Sequence, residues 1–178
     1  MRKALHSFDA RFTKSIQAWP RWVKQPMRAI TDAGQPLTVL LFAGGLLAWS
    51  MQGRDVPMMA AAIVVIATVI ISSLLKVTLR RARPETNYAA SMIFKTFSFP
   101  SGHAAAATVG FGFLAYLAFA LLSMPMSVLV GSLVVVYTML VGISRIYLGA
   151  HYPSDVLGGM LLGGAGLLVI LLLVRPLG

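Results

Sequence analysis

The chain has 178 residues, of which 58% are hydrophobic and 11% are charged. Soluble domains carry about 25% charged residues, so this composition excludes an ordinary soluble protein and indicates an integral membrane protein. The chain has no cysteine, which excludes disulfides, zinc–thiolate sites and a cysteine nucleophile. Its formal net charge of +10 favours anionic lipid headgroups or an anionic substrate as partners, not nucleic acid.

Residues 1–35 are predicted to lie at the membrane surface. They lack the continuous apolar region and the cleavage site of a signal peptide. Apolar side chains recur at helical spacing among basic residues, which is typical of an interfacial amphipathic helix, here broken near Pro20 and Pro26. His6 is expected to contact lipid headgroups. The apolar positions are Leu5, Phe8, Phe12, Ile16 and Trp19.

Five apolar stretches follow, and each has about the 17–20 residues that a helix needs to cross the hydrocarbon. They begin at Pro36, Pro57, Ala104, Met126 and Asp155. The predicted fold is therefore all-α, a polytopic membrane helix bundle with five transmembrane helices and an N-terminal interfacial amphipathic helix. We divide it into an interfacial segment, 1–35, and a membrane-embedded domain, 36–178. In the last stretch Gly159 and Gly163 predict a face for close helix packing.

Five spans place the N-terminal tail and the loops 76–103 and 144–155 on one side of the membrane. All three histidines then share that side, with every Lys and Arg except Arg54 and Arg175. Cytoplasmic segments carry an excess of Lys and Arg, so this charge bias favours a cytoplasmic position for the shared side.

Three clusters of chemically active residues lie on the shared side. The first is "KVTLRRARP", in which six residues separate Lys76 from Arg83. The second is "PSGH", which ends at His103. The third is "SRIYLGAHYPSD", in which His151 lies four residues before Asp155. Together they contain cations, a glycine and two imidazoles, and they lack the carboxylate cluster that suits Mg²⁺.

These residue types fit phosphoryl transfer. A transferring phosphoryl group spreads negative charge over its oxygens, and positioned cations and backbone N–H groups stabilise that charge. Lys76, Arg83 and Arg145 supply the cations, and Ser101 and Gly102 supply backbone near a helix start. One histidine can attack phosphorus while the other protonates the leaving oxygen. Asp155, one helical turn after His151, can fix its tautomer, which makes His151 the nucleophile and His103 the general acid.

Taken singly, most of these residues also have a purely structural explanation. The basic residues after the second span could mark its end, and Arg80, Arg81 and Lys95 are interpreted as surface cations. Ser101 could be only a helix N-cap, His103 an interfacial side chain, and Asp155 a partner of a helix dipole. Tyr147 and Tyr152 are expected in the aromatic belt.

The three clusters together resemble the three-part signature of the type-2 phosphatidic acid phosphatase family, which shares its core with vanadium haloperoxidases and some acid phosphatases. That signature reads KxxxxxxRP, PSGH and SRxxxxxHxxxD, and the chain matches it in residue and spacing across residues 76–155. The resemblance implies metal-independent catalysis without a cofactor and sensitivity to vanadate. It assigns phosphate binding and catalysis to the same residues as above: Lys76, Arg83, Ser101, Gly102 and Arg145 hold phosphate, and His103, His151 and Asp155 catalyse.

The resulting hypothesis is an integral membrane phosphatase that hydrolyses a lipid phosphate or diphosphate through a phosphohistidine. Candidate substrates are phosphatidylglycerol phosphate, phosphatidate, a polyprenyl phosphate or diphosphate, and the lipid A 1-phosphate. The alternatives are a lipid phosphotransferase that uses the same site and a non-catalytic lipid-binding or transport protein. We expect a multi-pass protein of a bacterial inner membrane. Membrane members of the family usually have six spans and an outward-facing site, whereas the charge bias here favours the cytoplasmic side.

Overall fold

A computed structural model describes residues 2–92 and 96–174, and this part of the chain contains helices and loops without a strand. The N-terminal helices α1 and α2 are joined by a single 3₁₀ turn at Arg21–Val23, and a one-turn helix, α5, lies in the loop between the second and third long helices. The α-helices are α1 (Arg2–Gln17), α2 (Lys24–Ala33), α3 (Pro36–Gly53), α4 (Val56–Leu79), α5 (Asn87–Ala90), α6 (Gly102–Leu121), α7 (Met124–Tyr147) and α8 (Pro153–Leu173).

Five helical runs in the described residues are long and apolar enough to cross a membrane: α3 together with the turn and α2 before it, α4, α6, α7 and α8. This confirms the prediction of an all-α polytopic bundle. The helices extend beyond the apolar stretches of the sequence. α4 continues past Lys76 and ends where Arg80 adopts a left-handed conformation with φ 49°, and α7 continues through Arg145. The charged residues of the motifs are therefore held on regular helix.

The N-terminal segment forms two helices, with one of the two breaks that the sequence predicted. The chain leaves helical geometry around Pro20, as predicted, but Pro26 lies in the first turn of α2, where a missing N–H breaks no hydrogen bond. Both helices pack on the bundle. The side-chain amide of Gln17 donates to the carbonyl of Ile146 at 3.2 Å, and the hydroxyl of Tyr137 donates to the carbonyl of Ile30 at 3.0 Å.

Small residues let α6 occupy the centre of the bundle against α4, α7 and α8. The four alanines 104–107 are completely buried. A Cβ added at Gly159 would overlap the carbonyl oxygen of Ser101, and one added at Gly163 would lie 2.5 Å from the carbonyl oxygen of Ala105. The predicted glycine face on α8 is thus confirmed as its contact with α6. This close approach brings the N-termini of the two helices together.

The outer surface of the bundle is apolar, as a lipid environment requires. Large side chains on the long helices are more than half exposed, among them Trp49, Leu74, Leu161 and Leu172. In water such a continuous apolar surface would be unfavourable, whereas hydrocarbon is an equally apolar solvent for it. Polar side chains concentrate instead at one end of the bundle, where the segments 80–92, 96–101 and 148–152 meet.

The glycine face leads to a test of the packing. Gly163→Ala should lower the melting temperature in detergent, because its Cβ would lie 2.5 Å from the Ala105 oxygen and 2.6 Å from Thr108 Cβ. Overpacking of a fitted contact costs about 1–3 kcal/mol. Gly164→Ala is the matched control, since a Cβ there meets nothing within 4 Å. Thermal unfolding of both variants, followed by circular dichroism, measures the difference, and equal melting temperatures would contradict the packing.

Candidate active site

A cavity of about 460 Å³ opens at the polar end of the bundle, among α3, α4, α6 and the loop before α8. Four of the predicted site residues line it, namely Lys76, Arg83, His103 and His151, and none of the described residues contributes a carboxylate to it. The cavity therefore has a positive electrostatic character and suits an anion. The other lining residues are Gln35, Pro36, Leu37, Ser73, Met92 and Thr96.

Lys76 meets the start of α6 at Gly102. A Cβ at Gly102 would lie only 2.8 Å from the Lys76 ammonium nitrogen, so glycine permits this approach. Ser101 caps α6 by accepting the Ala104 N–H at 3.4 Å, and its own N–H donates to the Asp155 carbonyl at 2.9 Å. Among the described residues, the N–H groups of Gly102 and His103 have no hydrogen-bond partner. These two N–H groups are available to an anion beside Lys76.

Arg83 is fixed on three sides at the edge of the cavity. Its Nε donates to the Thr96 carbonyl at 2.7 Å, Nη2 donates to the Thr96 hydroxyl at 3.0 Å, and Nη1 donates to the Ala150 carbonyl at 3.0 Å. Nη1 also lies 3.4 Å from Nε2 of His151. The guanidinium is thus preorganised next to the imidazole, so little conformational entropy remains to be lost when an anion binds.

Arg145, on the last turn of α7, is almost completely buried, with 1% of its surface exposed. Its Nη1 donates to the Thr31 hydroxyl at 2.8 Å and to the Tyr88 hydroxyl at 3.3 Å, whereas its buried Nε and Nη2 have no partner among the described residues. A buried cation with two unpaired donors is unfavourable until an anion satisfies them. Arg145 acts electrostatically on His151 and Arg83, so an anion shared by the three would provide that partner.

His151 presents one ring nitrogen to the cavity and the other to Asp155. Its Nδ1 lies 3.6 Å from Oδ2 of Asp155, which is an ion-pair distance and longer than a hydrogen bond. Oδ2 also accepts the N–H of Tyr152 at 2.9 Å. The backbone N–H of His151 donates to the Arg145 carbonyl at 3.2 Å, which fixes the loop. Nε2 is therefore the nitrogen that faces an anion in the cavity.

The electrostatics of the site keep His151 neutral. Burial is the largest cause that lowers the pKa of His151 well below its ordinary value, and the positive charges of Arg145, Arg83 and Lys76 lower the pKa further. The nearby Ser98 backbone acts in the opposite direction and raises the pKa. The neutral imidazole is the nucleophilic form, so the surrounding cations hold His151 in the state that can attack phosphorus.

Sequence reasoning missed two residues that contact the site. Arg81 was interpreted as a surface cation, and that is wrong: its guanidinium forms ion pairs with Asp155 at 2.7 Å and with Asp9 of α1 at 2.6 Å. Asp9 lies four residues after Leu5 and seven before Ile16, so an acid on the apolar face of α1 was the available signal. Arg80 is exposed, in agreement with the prediction, and Lys95 lies outside the described residues.

The two tyrosines assigned to the aromatic belt have internal partners as well. The Tyr152 ring lies beneath the Arg81 guanidinium, 4.5 Å from ring centroid to Cζ. The Tyr147 hydroxyl donates to the Pro20 carbonyl at 3.0 Å, and its ring centroid lies 6.4 Å from that of Trp19. Tyr147 therefore connects the N-terminal segment to the C-terminal end of α7, and Tyr152 connects the loop after α4 to the N-terminal end of α8.

Known proteins share the sequence and the fold of this chain. The PAP2 superfamily matches residues 57–177. Phosphatidylglycerophosphatase B of Bacillus subtilis (strain 168) is 32% identical over 179 residues, which cover 90% of this chain and 80% of that protein. A crystal structure of a transmembrane PAP2-type phosphatidylglycerolphosphate phosphatase from Bacillus subtilis matches with a TM-score of 0.77 and 28% identity, over 94% of this chain and 84% of that chain. Aquifex aeolicus LpxE matches with a TM-score of 0.63 and 21% identity, over 91% and 93%, and shares the fold.

The lowered pKa of His151 can be measured by chemical modification. In a His6→Gln/His103→Gln variant His151 is the only histidine left. Diethyl pyrocarbonate reacts with neutral imidazole, so the modification rate of His151, followed by mass spectrometry, should fall to half well below pH 6.5, the ordinary histidine value. Adding Arg83→Gln removes a nearby cation and should move this midpoint to higher pH. A midpoint at or above pH 6.5 before that addition would contradict the electrostatic analysis.

Proposed function

Because the chain belongs to the PAP2 superfamily, as its three motifs predicted, we propose that it hydrolyses the phosphate of a membrane lipid through a phosphohistidine on His151. The membrane phosphatase class follows from the relatives, and the site residues and the intermediate are our proposal. The observation that carries it is the buried Arg145, whose Nε and Nη2 have no partner among the described residues and whose charge acts on Lys76 and Arg83, two cations that line the cavity. A phosphate group would supply the missing partner.

In the first step the phosphate binds among Lys76, Arg83 and Arg145 and beside the free N–H groups of Gly102 and His103. Nε2 of His151 attacks phosphorus, so that a P–N bond forms while the bond from phosphorus to the lipid oxygen breaks. The leaving oxygen takes a proton from the imidazole of His103, which the bound phosphate dianion keeps protonated by offsetting the charge of the nearby cations. Nδ1–H of the phosphorylated ring then carries positive charge, which the adjacent Asp155 carboxylate stabilises.

In the second step water replaces the lipid alcohol. His103, now neutral, accepts a proton from water as the water oxygen attacks phosphorus, and the P–N bond breaks. Inorganic phosphate and neutral His151 result, and His103 is again protonated. One histidine thus serves as acid in the first step and as base in the second, as microscopic reversibility requires.

The surroundings of the cavity support a lipid substrate. Pro36, Leu37 and Met92 line its apolar side, and Leu37 is 57% exposed at the start of a membrane-spanning helix. A phosphate bound at the cations would leave its lipid chains room to remain in hydrocarbon. The Bacillus subtilis relatives are named for phosphatidylglycerol phosphate, so we propose this lipid as the first substrate to test, ahead of phosphatidate and polyprenyl phosphates.

The three cations also support metal-independent catalysis. Lys76, Arg83 and Arg145 would neutralise the charge that develops on the transferring phosphoryl oxygens, which is the work that Mg²⁺ performs in many phosphoryl transferases. Two of them are arginines, whose planar fork can pair with two phosphate oxygens at once.

A phosphate-release assay in detergent, with EDTA present, tests the proposal. Wild type should release phosphate from phosphatidylglycerol phosphate, and vanadate should inhibit by mimicking the transferring phosphoryl group. His151→Ala should lose at least about 1,000-fold in activity, because the nucleophile is removed. His6→Ala, an exposed histidine on α1, is the control and should retain full activity. Loss of wild-type activity in EDTA, or substantial turnover by His151→Ala, would contradict the mechanism, and transfer of phosphate to a lipid acceptor would instead favour a phosphotransferase.

The charge bias leads us to propose that the site faces the cytoplasm, and labelling of single cysteines tests this. The chain has no native cysteine, so Ser7→Cys, Glu85→Cys and Gln52→Cys give clean probes. All three positions are exposed, with Ser7 and Glu85 on the side of the site and Gln52 on the other. An impermeant thiol reagent on intact cells should label only the Gln52 variant. Labelling of Ser7 and Glu85, but not Gln52, would place the site outside.

A further inference from the structure

Arg81 connects two carboxylates at the edge of the site. Its Nη1 donates to Oδ1 of Asp155 at 2.7 Å and to the Ser154 hydroxyl at 2.7 Å, while its Nη2 donates to Oδ2 of Asp9 at 2.6 Å. The side chains of Asp9 and Asp155 are 4% and 0% exposed, and that of Arg81 is 28% exposed. Charge-assisted hydrogen bonds of this length are the strong ones, and here they join two buried carboxylates to a half-buried guanidinium.

Asp155 depends on this contact for its orientation. Its Oδ2 accepts the Tyr152 N–H and faces Nδ1 of His151, while Oδ1 is held by Arg81. With both oxygens fixed, the plane of the carboxylate is set relative to the imidazole. Without Arg81, a buried carboxylate would lose its only ion-pair partner other than His151 among the described residues, and would rotate or take up a proton.

Asp9 links α1 to Arg81 and to the start of α8. It accepts the backbone N–H of Ser154 at 2.9 Å and the Ser154 hydroxyl at 2.7 Å, which places a carboxylate at the N-terminus of α8. It is also the only acidic residue of α1, and it points inward while the neighbouring Arg11 and Lys14 are exposed. The contact is therefore specific and not a general attraction between charged surfaces.

Asp9, Arg81 and Asp155 together carry a net charge that can stabilise positive charge on His151. Arg81 alone would neutralise Asp155, but Asp9 offsets the charge of Arg81, so the three side chains together retain one negative charge. That charge remains beside Nδ1 of His151, where positive charge appears in the proposed phosphohistidine. Asp9 thus preserves the ability of Asp155 to stabilise the imidazolium.

We propose that Arg81 is a positioning residue for Asp155, and that Asp9 makes α1 part of the support of the nucleophile. This inference rests on the proposed function, because it requires that His151 carry the phosphoryl group. It predicts an effect on the chemical step and not on substrate binding, since neither Arg81 nor Asp9 lines the cavity.

The experiment compares Arg81→Gln with Arg80→Gln in the phosphate-release assay. Arg80 is the adjacent exposed arginine, whose Nε donates only to the Val77 carbonyl at 3.1 Å, so it is a matched control for charge and position. Arg81→Gln should lower kcat by about 10–100-fold, the loss typical of a partner that orients a functional ligand, with KM within about twofold of wild type. Arg80→Gln should keep wild-type kcat and KM.

Asp9→Asn tests the proposed role of Asp9 in supporting the nucleophile. It should lower kcat less than Arg81→Gln does, because asparagine can still accept the Ser154 N–H but no longer offsets the charge of Arg81. The double variant should be no slower than Arg81→Gln alone, since the two residues act through one contact. Losses that multiply in the double variant would overturn the shared role.

The outcomes separate this inference from the proposed function. A wild-type protein that releases phosphate, together with an Arg81→Gln variant equal to Arg80→Gln, would overturn only the role of Arg81. A rise in KM at constant kcat would also overturn it, because Arg81 would then bind substrate. A wild type inactive on every lipid phosphate would refute the proposed function itself. If Arg81→Gln does not fold, Arg81→Lys decides, because an ammonium lacks the planar fork that holds each carboxylate at a separate nitrogen: its kcat should still fall about tenfold, and wild-type kcat would overturn the proposal.

Discussion

Mutual repulsion of three cations, one buried and two half-buried, is the constraint on which this structure depends. Lys76, Arg83 and Arg145 lie within electrostatic range of one another at the end of an apolar bundle, and no carboxylate of the described residues lines the cavity beside Lys76 and Arg83. The protein holds the two arginines there with neutral acceptors, namely the Thr31 and Tyr88 hydroxyls and the Thr96 and Ala150 carbonyls. Such acceptors orient a cation without cancelling its charge, so the field remains available to an anion.

Two acidic residues, Asp155 and Asp9, lie on the other side of the His151 imidazole. Asp155 and Asp9 are engaged by Arg81 and by the N-terminus of α8, on the far side of the imidazole from the cavity. His151 therefore lies between the cations at the cavity and the negatively charged group formed by Asp155, Asp9 and Arg81. This division depends on the close packing of α6 and α8, because the Ser101 N–H reaches the Asp155 carbonyl only when the two helix starts touch.

The sequence predicts those features of the site that depend on residues close together in the chain. Hydropathy gives the five membrane helices, and the spacing within each motif gives the residues around the cavity, because both depend on neighbours in the chain. Two features were not predictable in this way. The contact of Asp9 with Arg81 joins residues 72 positions apart, and the partners of Arg145 come from α2 and α5. The extension of α4 past Lys76 was missed because hydropathy marks where apolar residues stop and not where helical hydrogen bonding stops.

Arg145 contributes to the site through both its side chain and its backbone. The charge of its guanidinium acts on Lys76, Arg83 and His151, and its carbonyl oxygen accepts the N–H groups of Ala150 and His151 at 2.9 and 3.2 Å. In the proposed mechanism one residue would thus hold both the phosphate and the attacking ring. Thermal displacement of the end of α7 would carry both groups together, so the separation between nucleophile and phosphorus would vary less than the position of either. The distance and angle of attack would therefore change little as the helices fluctuate in a fluid membrane.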